Sequence, residues 1–420
     1  MSFTSESRER YDSTDLSDLA GVAFLGGAAL FTVQFSLVLG LQKEGLGTAA
    51  VALLIIVGTL PMVLLSKVAG RIADRFDSRR VLTLSGLLQA SSITAMAFAE
   101  SLPVLLALLF LTACGTAIMA PTQGALVPRM AEGSRLPKAI AMVQTGNLLG
   151  MAAGPAFAGF IIDAYSTQTA LAIVAVAAFV RVGLIQMIRT RRFGGDAAPT
   201  ATAEAPEPAT SWKMRDDRLF FTAVLGFSTV IAVLCAANVL ELFLVREVYG
   251  ASESMYGLIN GSWTGGMVLG ALVAAAVIVR VSKDLDLSRM LLLCAGATAL
   301  LFTAIAVELP SAWFLIPLYL VGGVLNAAQN ASVQNLLARR VPDRFRGRAG
   351  ARVQGTINAA TLGGFGLGAL ITSVFTVQQS LIVLGLTGMA VVAVLLPVLK
   401  GTAAKRVDTA RNRPEPVRAA

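Results

Sequence analysis

"GRIADRFDSRRVL", residues 70–82, decides how the rest of the chain is read. Its first twelve residues hold six charges: Arg71, Asp74, Arg75, Asp77, Arg79 and Arg80. The stretches on either side, 45–66 and 81–99, hold none. A helix needs about 20 apolar residues to cross the hydrocarbon core of a bilayer. A short charged link between two such runs is the pattern of a turn at a membrane surface.

The same alternation extends outward in both directions. Uncharged runs cover 19–42, 101–128, 139–162, 219–240, 254–279, 290–307 and 309–338, and the run 164–188 is broken only by Arg181. The run 353–399 is too long for one crossing, and the polar "TVQQS" at 376–380 is expected to split it. Twelve spans result. Composition agrees, since 14% of residues are charged where soluble domains carry about a quarter. Only helices and closed barrels satisfy their backbone in lipid, and continuous apolar runs without alternation choose helices. The predicted fold class is an all-α membrane protein.

Charge distribution gives the orientation. Of the 34 lysines and arginines, only Lys43 and Arg246 fall in the links after spans 1, 3, 5, 7, 9 and 11. Arg181 lies within span 6, and all the others lie on the opposite side. The positive-inside rule then predicts cytoplasmic termini. The net charge of +9 needs no nucleic-acid partner. Residues 1–18 are polar and mixed in charge, with no visible signal peptide, and the first apolar run is long enough to stay as a helix. Cys114, Cys235 and Cys294 all fall inside spans, and there is no histidine. No metal site or cofactor is expected.

Residues 189–217, "RTRRFGGDAAPTATAEAPEPATSWKMRDD", are rich in Pro, Ala, Thr and Glu and show no apolar face. They read as a flexible cytoplasmic linker. The expected organisation is a cytoplasmic segment 1–18, a six-helix bundle 19–188, the linker, a second six-helix bundle 218–399 and a cytoplasmic tail 400–420. The halves echo one another: "LVPRMAEGSRLPKA" precedes span 5 and "RRVPDRFRGRAGA" precedes span 11. Gln144 and Gln354 follow, then glycine clusters at Gly150/Gly154 and Gly363/Gly364/Gly368. Parallel six-helix repeats are a known transporter plan, with the substrate site near the midplane.

With these features assembled, "GRIADRFDSRR" resembles the loop signature of the major facilitator superfamily, roughly G-x-x-x-D-R-x-G-R-R/K. Gly70, Asp74, Arg75, Arg79 and Arg80 fall on its positions, Asp77 replaces the usual glycine and Ser78 the usual arginine. The resemblance implies two pseudo-symmetric six-helix bundles and a cytoplasmic latch. In that latch Gly70 would permit close helix approach, and Asp74 would meet the start of helix 11, where Arg352 is a second partner. Asp77 would weaken it by competing for the same arginines. Plain anchoring by positive charge is the other reading of these arginines.

Span 5 contains "GMAAGPAFAG" at 150–159. Gly150, Gly154, Pro155 and Gly159 resemble the G-x-x-x-G-P-x-x-G-G motif of the antiporter branches, with Ala158 in place of one glycine. Small residues four apart let helices pack closely, and proline bends them. The helix-4 arginine of many proton-coupled drug exporters is absent, with Leu111 in its place in "FLTACGTA" (110–117). Together with "PTQGALVPRM" (121–130) and "RLPKAIAMVQTGNLLG" (135–150), this is similar to the macrolide-efflux and enterobactin-exporter branch.

In this superfamily helices 1, 4, 7 and 10 line the cavity. Span 10 offers Asn326, Gln329, Asn330, Gln334 and Asn335. Asn326, Asn330 and Gln334 recur every four residues and share a helix face. Such a face lines a cavity or bonds to a neighbouring helix. Glu241 is the only carboxylate well inside a cavity helix, one turn after Asn238. It is a candidate proton or cation site, or else sits at the wet outer boundary beside Arg246. Gln34, Gln123 and Trp263 are further candidates for substrate contact, and Arg181 is expected to snorkel, with pairing to a cavity acid as the alternative.

No phosphate-binding loop and no histidine base are present, so no enzyme chemistry is expected. The resemblance implies a monomeric inner-membrane antiporter that exports small amphipathic molecules such as drugs or siderophore-like metabolites, with protons as coupling ion. An importer or facilitator on the same fold, and a non-transporting scaffold or sensor, remain as alternatives.

Overall fold

Each of the uncharged runs holds a helix. The computed structural model describes residues 12–192, 214–215, 217–278, 280–281, 283–307, 309–341 and 343–411. Their helices are α1 (Ser13–Lys43), α2 (Thr48–Leu64), α3 (Ser66–Arg75), α4 (Ser78–Met96), α5 (Leu102–Met130), α6 (Leu136–Ala164), α7 (Thr167–Met187), α8 (Arg218–Phe243), α9 (Glu253–Ile278), α10 (Asp284–Ala306), α11 (Leu315–Arg340), α12 (Asp343–Ile371) and α13 (Val377–Arg411). Among the described residues nine helices are long and apolar enough to cross a membrane, ten if α2 and α3 count as one span bent by 51°. Shorter or more polar, α4 and α12 fill the two remaining predicted positions.

Local chemistry explains where these helices start and stop. Asp12 caps α1 by accepting from the Asp15 N–H at 3.1 Å, and Asp217 caps α8 by accepting from Phe220 N–H at 3.1 Å. Such caps satisfy an orphan donor of the first turn. Gly45 (φ 75°) and Gly250 (φ 59°) follow the first helix of each half. Each adopts the left-handed conformation that glycine takes at low cost. Asp217 and Gly250 follow Asp12 and Gly45 at the same interval, so the repeat is written in its punctuation.

The long run 353–399 does split, but earlier than "TVQQS". The break is at 372–376, and the polar residues open α13. Thr376 N–H donates to Gln379 Oε1 at 3.1 Å and Gln379 N–H donates to Thr376 Oγ1 at 3.3 Å, a reciprocal capping box. Helix α13 runs on to Arg411, past the expected start of the tail at residue 400. Residues 1–11 and 412–420 and the linker stretch 193–213 lie outside the described residues.

The chain divides into two units. The first comprises Met1–Glu207, Leu242–Val268 and Ser311–Tyr319. Here α6 lies along α1, and glycines set the spacing. A Cβ on Gly146 would come 2.6 Å from Ala20 O, and one on Gly154 would come 2.9 Å from Ala28 O. Without a hydrophobic drive between helices in lipid, association rests on this kind of close packing. Leu16, Leu19, Leu82, Met119, Leu126 and Met130 fill a buried core between α1, α4 and α5.

The second unit comprises Pro208–Glu241, Leu269–Pro310 and Leu320–Ala420. There α12 lies on α8 by the same device: Gly364 meets Ala232 and Cys235, and Gly368 meets Ala236 and Val239. Phe220, Phe227, Leu287, Leu291, Val333 and Leu336 form its buried core. Arg340, closing α11, binds Asp217 with two nitrogens at 2.6 and 2.8 Å and Asp284 at 3.2 Å. One guanidinium thus ties the start of α8 and the start of α10 to the end of α11.

Candidate functional site

The antiporter-like segment of α6 has neighbours on two sides. Gly150, Gly154, Pro155 and Gly159 are all buried. Towards α1, Gly150 lies so near Phe24 O and Ala28 N that no Cβ fits, and Thr32 Oγ1 donates to Gly154 O at 3.1 Å. Towards α9, Gly159 lies against the backbone of Glu253, and Gly257 lies against the backbone of Pro155. A Cβ on Gly261 would come 2.9 Å from Ala152 O. Small residues on both partners let two backbones touch along this seam.

One ionic cluster closes the Lys/Arg-poor end of the first unit. Glu253, 7% exposed, opens α9. Its Oε1 meets Lys43 Nζ at 3.1 Å and an Arg246 nitrogen at 2.7 Å. These are the two basic residues that the sequence places on that side. Arg246 lies in the π-helical turn, Leu244–Val248, that follows α8. Around this pair, Gln42 Nε2 donates to Glu247 at 3.4 Å, and Ser254 Oγ donates to Asp163. Below it Phe35 stacks on Tyr256 with ring centroids 4.5 Å apart. Sequence reading missed Glu253, whose signal was only that it lies seven residues after Arg246.

The bonds of the expected latch residues run to other groups. Asp74 pairs with Arg192 at 3.0 Å, and the Arg192 backbone exchanges hydrogen bonds with Ser78 at 2.9 and 3.0 Å. The chain just after α7 is thereby stitched to the α3–α4 turn. Arg79 donates to Gln186 Oε1 at 3.0 Å. Asp77 caps α4 by accepting from Arg80 N–H at 2.9 Å, so it shapes the turn. Arg75 and Arg80 are exposed. A Cβ on Gly70 would meet nothing within 4 Å. Arg352 lies on α12 in the second unit and is exposed.

Arg181 corrects an expectation. It does not snorkel: it is 7% exposed, donating Nε to Val22 O at 2.9 Å and Nη1 to Gln89 Oε1 at 2.9 Å. Its guanidinium lies directly over Gly26, and Gln89 in turn rests on Gly115. Two glycines thus make the room for a charge buried among α1, α4, α5 and α7.

The polar residues of α11 separate by face. Gln329 is fully buried and donates to Thr298 on α10 at 2.9 Å, and Asn335 bonds back to Ala331 O at 2.9 Å. Asn330 and Gln334 are exposed and Asn326 is half-buried, with Asn330 donating to Asn326 Oδ1 at 3.0 Å. Glu241 is buried at 3% exposure. Asn238 is exposed, while Gln34 and Gln123 are half-buried. Trp263 packs edge-on to Tyr319 with centroids 5.9 Å apart.

Comparison with known proteins agrees with this architecture. Residues 42–419 match the family described as transmembrane secretion effector. The chain is similar to YfiS of Bacillus subtilis (strain 168), an uncharacterized transporter of the major facilitator type, with 23% identity covering 80% of this chain and 81% of that one. It is similar to macrolide efflux protein A of Enterococcus faecalis, with 22% identity covering 54% of this chain and 72% of that one. Its fold matches the crystal structure of a mutant of the nucleoside transporter NupG, with TM-score 0.74 and 12% identity over 92% of this chain and 99% of that one. The glycine-packed repeats, the charged α3–α4 link and these matches lead to one conclusion: the chain belongs to the transmembrane secretion effector family of the major facilitator superfamily.

Proposed function

We propose that the protein is a proton-coupled exporter of small amphipathic molecules. It would act as a monomer in the cytoplasmic membrane, with both termini inside, by rocking two six-helix bundles, 19–188 and 218–399, about a central site. The observation that carries the reading is the α6 segment Gly150–Gly159, whose antiporter-like glycines and proline seat it against α1 and α9 at once. A macrolide-efflux relative supports the direction and the cargo class.

The chain's own residues supply the parts. Asn326, Asn330 and Gln334 form a polar line on α11. A polar face is costly towards lipid, so this one faces cargo and water. Glu241 is a buried carboxylate. It is the group to which this reading assigns the coupled proton. The Glu253 clasp holds the outer side shut while cargo enters from inside. Asp74, with Arg75, Arg79, Arg80 and Arg352, would latch the inner side when the outer side opens.

The test uses inside-out vesicles containing the full chain under an imposed pH gradient. Macrolides, other drugs and siderophores are added in turn to wild type and Glu241→Gln. Collapse of the gradient by a compound in wild type, and not in the variant, is the expected result. Cargo uptake into right-side-out vesicles instead would overturn the export reading. Gradient collapse unchanged in Glu241→Gln would remove Glu241 from the coupling.

A further inference from the structure

The second unit contains a cavity of about 720 Å³ lined by Met214, Arg215, Phe221, Arg352, Gly355, Thr356 and Ala359. Its composition is layered. Arg352 is the last charge before the uncharged run of 353–399, and Arg215 precedes the start of α8. Both arginines therefore stand at the level where the chain enters the membrane. Phe221, Gly355, Thr356 and Ala359 lie deeper, with Ala359 about two turns further along α12, roughly 10 Å.

Among the described residues, no acid occupies either arginine. Arg215 and Arg352 are exposed. The nearest described acid in sequence, Asp217, is committed: both its oxygens receive Arg340, and one also caps α8. Thr356 Oγ1 bonds back to Arg352 O at 2.9 Å, which turns its methyl group outward from that bond. Gly355 presents no side chain, and a Cβ there would meet nothing within 4 Å.

We propose that this cavity binds one anionic phospholipid, its phosphate between Arg215 and Arg352 and the upper part of an acyl chain along Phe221 and Ala359. Two cations at the interface above an apolar wall match the order of charge and hydrocarbon in such a lipid. Basic pockets between helices at the membrane surface attract anionic head groups, and arginine's fork suits a phosphate. A zwitterionic lipid carries its own cation and gains less. The site stands whatever cargo the chain carries.

The test titrates purified full-length chain in neutral detergent with phosphatidylglycerol, phosphatidylcholine and inorganic phosphate, reading retained lipid by native mass spectrometry. Wild type is expected to retain phosphatidylglycerol preferentially. Arg215→Gln and Arg352→Gln should each weaken retention about fivefold, and the pair about thirtyfold. Gly355→Phe should fill the cleft and abolish retention with both arginines intact. Melting temperatures that match wild type within error establish that the variants are folded. Equal retention of the two lipids, or wild-type preference in the double variant, would overturn the proposal. So would displacement of the lipid by millimolar inorganic phosphate, which would make this a free-anion site.

Discussion

Lys43, at the end of α1, stands 3.1 Å from Glu253, at the start of α9. The same carboxylate oxygen holds Arg246 at 2.7 Å, so removing one charge releases two cations. Hydrogen bonds to charged groups contribute about 1.5–3 kcal/mol, and the Glu253 side chain is only 10% exposed. Glu253→Gln is therefore expected to shift the outer side towards opening by roughly tenfold or more. Spin labels at positions 42 and 247 read the change as a longer distance distribution. An unchanged distribution would show that the clasp does not set the equilibrium.

Glycines of α6 and α3 make opposite predictions. Gly150→Ala places a Cβ into the α1 backbone at Phe24 and Ala28, and overpacking of this kind costs about 1–3 kcal/mol. Gly70→Ala places it in open space. The first substitution should lower the melting temperature of purified protein by several degrees, and the second should leave it unchanged. A stable Gly150→Ala protein would mean that α6 and α1 can separate without loss.

Arg181 and Gln89 form a buried pair whose halves depend on one another. Gln89→Leu leaves a guanidinium nitrogen without its acceptor, whereas Arg181→Met with Gln89→Leu replaces both by apolar groups. Breaking one side of a buried polar pair is more destabilising than replacing both. The single variant is expected to lose more thermal stability than the double variant. If the double variant melts lower instead, the guanidinium contributes through contacts other than Gln89.

Asp74 is half-exposed, and its bridge to Arg192 contributes at most about 1 kcal/mol. Asp74→Asn should therefore melt like wild type. The latch reading expects it nonetheless to lose most transport, measured as drug-dependent collapse of a pH gradient in vesicles. Full transport by this variant would reduce the charged link to an anchor.

Much of this fold was legible because charge exclusion is a local signal. Each uncharged run marks a helix without reference to any other, and the α6 glycines announced close packing by their spacing alone. Partners were not legible. Glu253 meets Lys43 across more than two hundred residues, and the intervening sequence carries no register that links them. Arg181 looked like an interfacial residue because its burial depends on two glycines on other helices, Gly26 opposite the guanidinium and Gly115 beneath Gln89. The helix break after Ile371 was displaced from "TVQQS" because polar residues with the Thr-x-x-Gln spacing start helices as readily as they end them.

Gln42 and Glu247 are 205 residues apart and bonded to one another. The same interval separates Asp12 from Asp217 and Gly45 from Gly250, so the two residues are counterparts in the repeat. If the halves descend from a duplicated half-length ancestor, these two positions began as one and the same residue. Since then they have diverged into a donor amide and an acceptor carboxylate, an asymmetry that two identical copies of a half-length chain could not carry.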